Sequence, residues 1–381
     1  MRISVAIDSF KGSISSKEAG EAVKKAATKV FEGAFVDVLP LADGGEGTVD
    51  AICSALGGEL IEKWVCGPFS DKVLAKYGFI KEKGLAVIEM SSASGITLVP
   101  KSKLNPMLAT TYGVGELISD ALMRGARKFI VGIGGSATND GGVGMLTALG
   151  VKFYDKTKKP IPLGAGGLSE LDSIDVSALS KSLSECEILV ACDVKNPLCG
   201  ENGASAVFGP QKGATPEMVK TLDSLLERYA EKTKEINPSS SKDYPGSGAA
   251  GGLGFAFISY LGARLTSGIE LVIKETGIEE SIKNSDLVIT GEGRLDGQSA
   301  MGKAPVGIAR LAKKYGKTVI AFSGAVTDDA GLCNENGIDA FFPILRSVVT
   351  LYEAMKVENA EKNLEKTAEQ ALRLVKALTK A

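Results

Sequence analysis

Six carboxylates stand in glycine-rich stretches that each follow a short apolar run: Asp8, Asp43, Glu46, Asp140, Glu292 and Asp296. The stretches read DSFKGS (8–13), ADGGEGT (42–48), GGSATNDGG (134–142) and GEGRLDGQSAMGKAP (291–305), and they also carry Lys11, Arg294 and Lys303. Glycines let backbone N–H groups approach phosphate oxygens closely, and a helix N-terminus adds about half a positive charge. Carboxylates beside such loops can hold a divalent ion or accept a proton, although a carboxylate at a strand end is more often structural, typically as a helix cap. The chain contains no histidine, which excludes Ser-His-Asp and Cys-His mechanisms and any histidine-bound zinc. Acid–base chemistry therefore falls to Asp, Glu, Lys, Tyr or Cys, and the expected metal is a hard ion such as Mg2+.

Two glycine patterns imitate nucleotide motifs. Gly297 to Lys303 spells G-x-x-x-x-G-K, but Ala304 stands where a P-loop needs the hydroxyl that binds magnesium. Gly297 also stands six positions beyond the end of the preceding run, at Gly291, so this is not read as a Walker loop. It still runs from strand to loop to helix, with Pro305 suited to a first helical turn and Lys303 to a phosphate. Gly246 to Gly251 forms a G-x-G-x-x-G after SSSKDYP rather than after a strand. Its glycines are expected to serve a turn and close packing ahead of a helix at 252–264.

The elements that must position these loops show in the hydrophobic pattern. ISVAID (3–8), FVDVLPL (35–41), KFIVGIG (128–134), SDLVITG (285–291), TVIAFSG (318–324) and DAFFPIL (339–345) suit strands buried on both faces of a parallel sheet. Ser15 and Glu18 make a capping box ahead of a stripe at Ala19, Ala22, Val23, Ala26 and Val30, which predicts a helix. Strand alternating with helix is the pattern of a doubly wound α/β fold, whose ligands bind beyond the carboxyl ends of its strands. Residues 59–90 read instead as three strands joined by turns, ILVACDV (188–194) as another, and 351–378 as one amphipathic helix.

At 381 residues the chain exceeds the roughly 150 typical of one domain. The expectation is a Rossmann-like doubly wound domain from 1–58, 106–150 and 265–381. A second, inserted α/β domain with a mixed sheet would comprise 59–105 and 151–264, with the active site in the cleft between them. INPSSSKDYPGSG (236–248) is the most linker-like segment. A formal charge of -2 argues against a nucleic-acid binder, and no apolar run is long enough for a membrane span. MRISVAIDSF lacks a signal-peptide core, so a cytoplasmic protein with six reduced cysteines is expected.

The assembly of motifs resembles the bacterial glycerate kinase family. The residues that carry the likeness are DSFKGS (8–13), LADGGEGT (41–48), IGGSATNDGG (133–142), ACDVKNPLCG (191–200), ASAVFGPQKGAT (204–215) and ITGEGRLDGQ (289–298). The resemblance spans nearly the whole chain, in order. It implies transfer of the γ-phosphoryl of ATP to D-glycerate with Mg2+, giving 2-phosphoglycerate rather than 3-phosphoglycerate. Two positions depart from the pattern: Ile7 where proline is usual, and Met301 where many relatives carry histidine.

ATP and glycerate bring about five negative charges together, so positioning and neutralisation dominate such a reaction. Lys11 and Lys303 are the expected phosphate ligands, and Arg294 is suited to grip the glycerate carboxylate bidentately. Asp193 is the first candidate for the base that takes the hydroxyl proton, followed by Asp43 and Asp8. A turn-forming role for Asp193 ahead of Asn196-Pro197 stays open. Asp8, Asp43, Glu292 and Asp296 are the candidate magnesium ligands. Ser9, Gly44, Gly45, Glu46, Gly47, Thr48, Gly134, Gly135, Ser136, Thr138, Asn139 and Gln298 complete the expected phosphate and substrate contacts. Lys212 could serve an interdomain ion pair or a substrate contact. The expected partner is D-glycerate, with a homodimer as one form of assembly. The rival readings are an NAD-dependent dehydrogenase and a non-catalytic binding protein for a small phosphorylated acid.

Overall fold

The computed structural model describes residues 1–379. In chain order its strands are β1 (Arg2–Ile7), β2 (Phe35–Val38), β3 (Glu59–Cys66), β4 (Lys72–Ile80), β5 (Leu85–Glu89), β6 (Lys128–Gly132) and β7 (Lys152–Tyr154). They continue with β8 (Ser173–Asp175), β9 (Glu187–Ala191), β10 (Arg264–Thr266), β11 (Leu287–Leu295), β12 (Thr318–Val326) and β13 (Ala340–Pro343). The chain divides into two compact units, one from 1–43, 50–56 and 269–381, the other from 44–49 and 57–268.

The first unit is an all-parallel sheet in the order β13-β12-β11-β1-β2. Ile3, Val5, Leu287, Ile289, Ile320 and Phe322 are buried in it, as strands covered on both faces require. The capping box forms as predicted: Ser15 accepts from the Glu18 N–H while the Glu18 carboxylate accepts from the Ser15 N–H. The helix it opens, Ser16–Val30, buries the predicted alanine and valine stripe. That stripe packs with Leu364, Ala368 and Leu372 of the helix Val357–Thr379. The expected single helix over 351–378 is broken, because Lys356 takes extended backbone between Leu351–Met355 and Val357–Thr379.

The second unit holds a mixed sheet, β10-β9-β6-β5-β4-β3, and a small antiparallel pair, β7-β8. β3, β4 and β5 pair antiparallel, as the turn-rich segment 59–90 predicts. β6 was expected beside the outer segments, yet it lies between β5 and β9 in this second sheet. A short apolar run states that a strand is buried and parallel, but its periodicity carries no information about which neighbours it takes. The linker-like segment 236–248 does not connect the units. It is fastened inside the second, where Asn237 Nδ2 donates to the Ser259 carbonyl at 2.7 Å and the Leu198 N–H to Lys242.

The glycine pattern at 246–251 does form a turn with close packing. The span Ala249–Leu261 is broken at Ala250 to Gly252, which are left-handed, so regular helix starts after Gly252, close to the expected start at 252. A Cβ on Gly251 would lie 2.1 Å from the Thr138 carbonyl oxygen, so no larger residue fits. Among the described residues no cysteine is joined in a disulfide.

Candidate active site

In the first unit, β1 and β11 are neighbours from which the chain winds away in opposite directions, to β2 on one side and to β12 and β13 on the other. This is a topological switch point, where ligands of open α/β sheets bind. The pairing Ile7↔Gly291 brings Asp8 and Glu292 to adjacent positions at its carboxyl rim, and the Asp8 N–H donates to the Gly291 carbonyl at 2.9 Å. Asp8 is 2% exposed and accepts from the Ser9 N–H at 2.7 Å. Burial first, and then the Asp43 carboxylate, push its pKa up to about 7 against the opposing pull of Lys11. Burial likewise raises Glu292, against a hydrogen bond from the Ser299 hydroxyl and the charge of Lys303.

Lys11 joins this group with its ammonium 3.6 Å from Asp43 Oδ2 and more than half of its side chain exposed. Burial works to lower its pKa, but Asp43, Asp8 and Glu292 outweigh that and the net shift is upward. Four of the predicted residues, Asp8, Lys11, Asp43 and Glu292, are therefore one electrostatic cluster.

The segment after β11 explains the false P-loop. β11 continues four residues past Gly291, because Arg294 and Leu295 still pair with Ala325 and Val326 of β12. Asp296 then caps a single helical turn, Gly297–Ala300, accepting from the N–H groups of Gln298 and Ser299. This occupies one Asp296 oxygen as a helix cap. Ser299 completes the cap and also donates to Glu292, so it ties the turn to the buried carboxylate. Sequence reasoning passed over Ser299, although D-x-x-S is a capping-box spacing. Lys303 stands at the entrance of the helix Ala304–Lys314, with Pro305 in its first turn, and donates to Gln298 Oε1 at 3.1 Å. Arg294 is largely exposed, 3.6 Å from Asp296 Oδ2, and Met301 is exposed as well.

The remaining predicted residues belong to the second unit. Gly44 has φ +87°, and a Cβ there would lie 2.5 Å from Ala191 Cβ at the end of β9. Glycine alone therefore lets the 44–48 loop lie against that strand. Glu46 is exposed, with Gly45 and Gly47 half-buried beside it. Thr48 opens the helix Thr48–Leu56 and donates to the Gly45 carbonyl at 2.8 Å. The Val49 N–H donates to Glu89 Oε1 at 2.8 Å, so Glu89, a buried residue that sequence reasoning missed, anchors the start of this helix. Beyond β9, Asp193 is exposed and accepts from the Gly268 N–H at 3.3 Å.

The loop 134–142 separates into two parts. Gly134 and Gly135 are exposed, whereas Ser136, Thr138 and Asn139 are buried. Asn139 Nδ2 donates to Ser205 Oγ at 2.9 Å, and the Thr138 carbonyl accepts from Lys212 Nζ at 2.6 Å. Lys212 is thus a buried residue of the second unit, and burial pulls its pKa down to about 7. It is not the interdomain ion pair offered as one option. Asp140 is fully buried and accepts from Thr111 through both its N–H and its hydroxyl, and from the N–H groups of Gly142 and Gly144. It serves as a fastening for the loop and for the start of the helix Val143–Ala148.

Among the described residues, no three His, Cys, Asp or Glu side chains converge as a metal cage. The oxygen donors at the first rim instead suit an ion held by one or two carboxylates, with phosphate oxygens and water completing its shell, the arrangement Mg2+ prefers.

Comparison with known proteins decides the family. Residues 3–376 match the model of the glycerate kinase family. The chain belongs to the glycerate kinase family. It is 49% identical over 356 residues to the glycerate 2-kinase of Escherichia coli K12, covering 93% of each chain. It is 47% identical to the glycerate kinase of Haemophilus influenzae Rd, over 98% of this chain and 99% of that one. A crystal structure from Salmonella typhimurium LT2, assigned as glycerate kinase 2, superimposes with a TM-score of 0.90 at 45% identity and full coverage of both chains. The family implied by the motifs is the family found, and it consists of ATP-dependent kinases. The dehydrogenase and binding-protein readings gain no support. No helix among the described residues is long and apolar enough to cross a membrane.

Proposed function

We propose that this chain is a glycerate 2-kinase, which moves the γ-phosphoryl of ATP to the C2 hydroxyl of D-glycerate. The observation that carries the reading is the cluster Asp8, Lys11, Asp43 and Glu292 at the switch point of a parallel sheet, in a chain of this family. Burial and the charge of Asp43 raise the pKa values of both Asp8 and Glu292. Mutual repulsion of that kind is relieved by a cation, and a divalent ion together with Lys11 supplies it. Magnesium, when bound there, neutralises the phosphate oxygens of the nucleotide. One or two of the carboxylates Asp8, Asp43 and Glu292 are proposed to hold it, and Asp296 is set aside because it caps a helix.

Lys11, exposed, and Lys303, half-buried, are assigned to phosphate oxygens, and Arg294 has donors for the glycerate carboxylate. The backbone around the exposed Gly134 and Gly135, and that around the exposed Glu46, is proposed to supply further anion donors. Thr138 and Asn139 are assigned to holding that loop in shape. Asp193, exposed beyond β9, is proposed as the base that takes the hydroxyl proton late in transfer. The protein is proposed to act in the cytoplasm on a small-molecule substrate.

Incubation with ATP, Mg2+ and D-glycerate, followed by enolase and pyruvate kinase, tests the reading. Pyruvate formed without phosphoglycerate mutase supports 2-phosphorylation, and a requirement for mutase reverses it. No Mg2+-dependent release of ADP on adding D-glycerate would refute the kinase assignment itself.

A further inference from the structure

The roles proposed at the rim of the parallel sheet all handle charge, whereas a nucleoside triphosphate also carries a flat base. A base needs an apolar or aromatic surface within reach of the phosphate ligands. The strand register shows where such a surface lies. Glu292↔Ser323 and Ser323↔Pro343 continue the rank begun by Asp8, so the carboxyl end of β13 belongs to the same rim. At about 4.8 Å per strand, Pro343 stands roughly 14 Å from Asp8 across the sheet.

The chain leaving β13 exposes Leu345, Val348, Val349, Leu351 and Tyr352 within eight residues. Single exposed apolar residues are ordinary, but five in one short run mark a binding surface. Val348 is fully exposed, and Leu351 and Tyr352 are about three-quarters exposed. The run then returns to the phosphate loop. Met355, at the end of the helix Leu351–Met355, lies so close to Gly12 that a Cβ there would sit 2.8 Å from Met355 Cε. Gly12 follows Lys11 directly, so the apolar run is strung between the end of β13 and the Lys11 loop. Lys356 Nζ lies 5.0 Å from the Tyr352 ring centroid, a cation–π contact that orients the ring.

We infer that the segment 345–352 receives the base of the nucleotide. The inference rests on the reading that the phosphates sit at Lys11 and the carboxylate rank. Glycerate, small and charged, has no use for five apolar side chains, whereas a purine ring stacks on them.

The test compares wild type with the Val348→Ser/Val349→Ser/Tyr352→Ser triple variant. ATP is the substrate, and tripolyphosphate is a competitor that lacks a base. The expected result is a KM for ATP raised at least tenfold, with the inhibition constant of tripolyphosphate and the KM for D-glycerate held within twofold. Tyr352→Phe alone should restore most of the loss seen in Tyr352→Ser. An unchanged KM for ATP, with tripolyphosphate still competing, places the base elsewhere and overturns the inference. Equal weakening of ATP and tripolyphosphate also overturns it, because the segment would then support the phosphate loop rather than the base. Failure of tripolyphosphate to compete with ATP in wild type refutes the phosphate reading, and the inference falls with it.

Discussion

Asp8 and Asp140 both stand in glycine-bearing loops that follow an apolar strand, Asp8 at the start of its loop and Asp140 near the end of its own, and their surroundings differ sharply. Asp140 has its carboxylate surrounded by donors from Thr111, Gly142 and Gly144. Asp8 faces Asp43 and Glu292, and its pKa is pushed up to about 7 by burial and by Asp43. One carboxylate is satisfied by the protein and organises a loop. The other is buried among like charges that Lys11 offsets only in part. A saturated donor shell suits scaffolding, and a partly offset cluster of like charge is a candidate for chemistry.

The sharpest way to break this contrast is Asp8→Asn. Turnover should fall by about three decades or more, with the circular dichroism spectrum and melting cooperativity retained. Asp140→Ala should do the reverse, costing about 3 kcal/mol of stability by stranding several buried donors. Chemical denaturation measures that loss, and a variant as stable as wild type would remove Asp140 from the scaffold. Ser299→Ala sits between the two cases, since its hydroxyl links the Asp296 cap to Glu292. It should lower kcat/KM about tenfold, and a full loss would promote Ser299 from positioning Glu292 to touching substrate.

Lys212 sharpens the comparison through pH. Burial holds its folded pKa near 7, well below the ordinary lysine value of 10.5. The unfolded chain therefore binds more protons between about pH 7 and 10, so stability rises with pH across that window. Lys212→Met should abolish this rise, so its melting temperature relative to wild type should drift downward from pH 7 to 10. A pH-independent difference would show that Lys212 is not charged on unfolding alone. The smallest effect is expected of Ser15→Ala, which removes a cap far from the chemistry. It should cost about 1 kcal/mol with unchanged KM values.

The same contrast explains what the sequence could and could not tell. β1, β11 and the capping box at Ser15–Glu18 were legible because hydrophobic period and cap spacing are local. β6 was misplaced because a short buried strand reads alike in either sheet. The extension of β11 to Leu295 was hidden because it depends on pairing with β12, not on the polar residues of GEGRL. Among the candidate site residues, Asp8, Lys11, Asp43 and Glu292 do meet. Thr138, Asn139 and Asp140 proved buried, because sequence shows that a polar residue follows a strand but not what donates to it. Asp296 and Ser299 carried a readable capping signal that the metal reading overrode.

The central claim is that the cluster at the β1–β11 rim gathers magnesium and the nucleotide. Equilibrium titration with a non-hydrolysable ATP analogue, with and without Mg2+, tests it most directly on wild type, Glu292→Gln and Asp193→Asn. The account predicts Mg2+-dependent binding that Glu292→Gln weakens at least tenfold and that Asp193→Asn leaves within twofold while slowing turnover. Normal Mg2+-dependent binding by Glu292→Gln would contradict it.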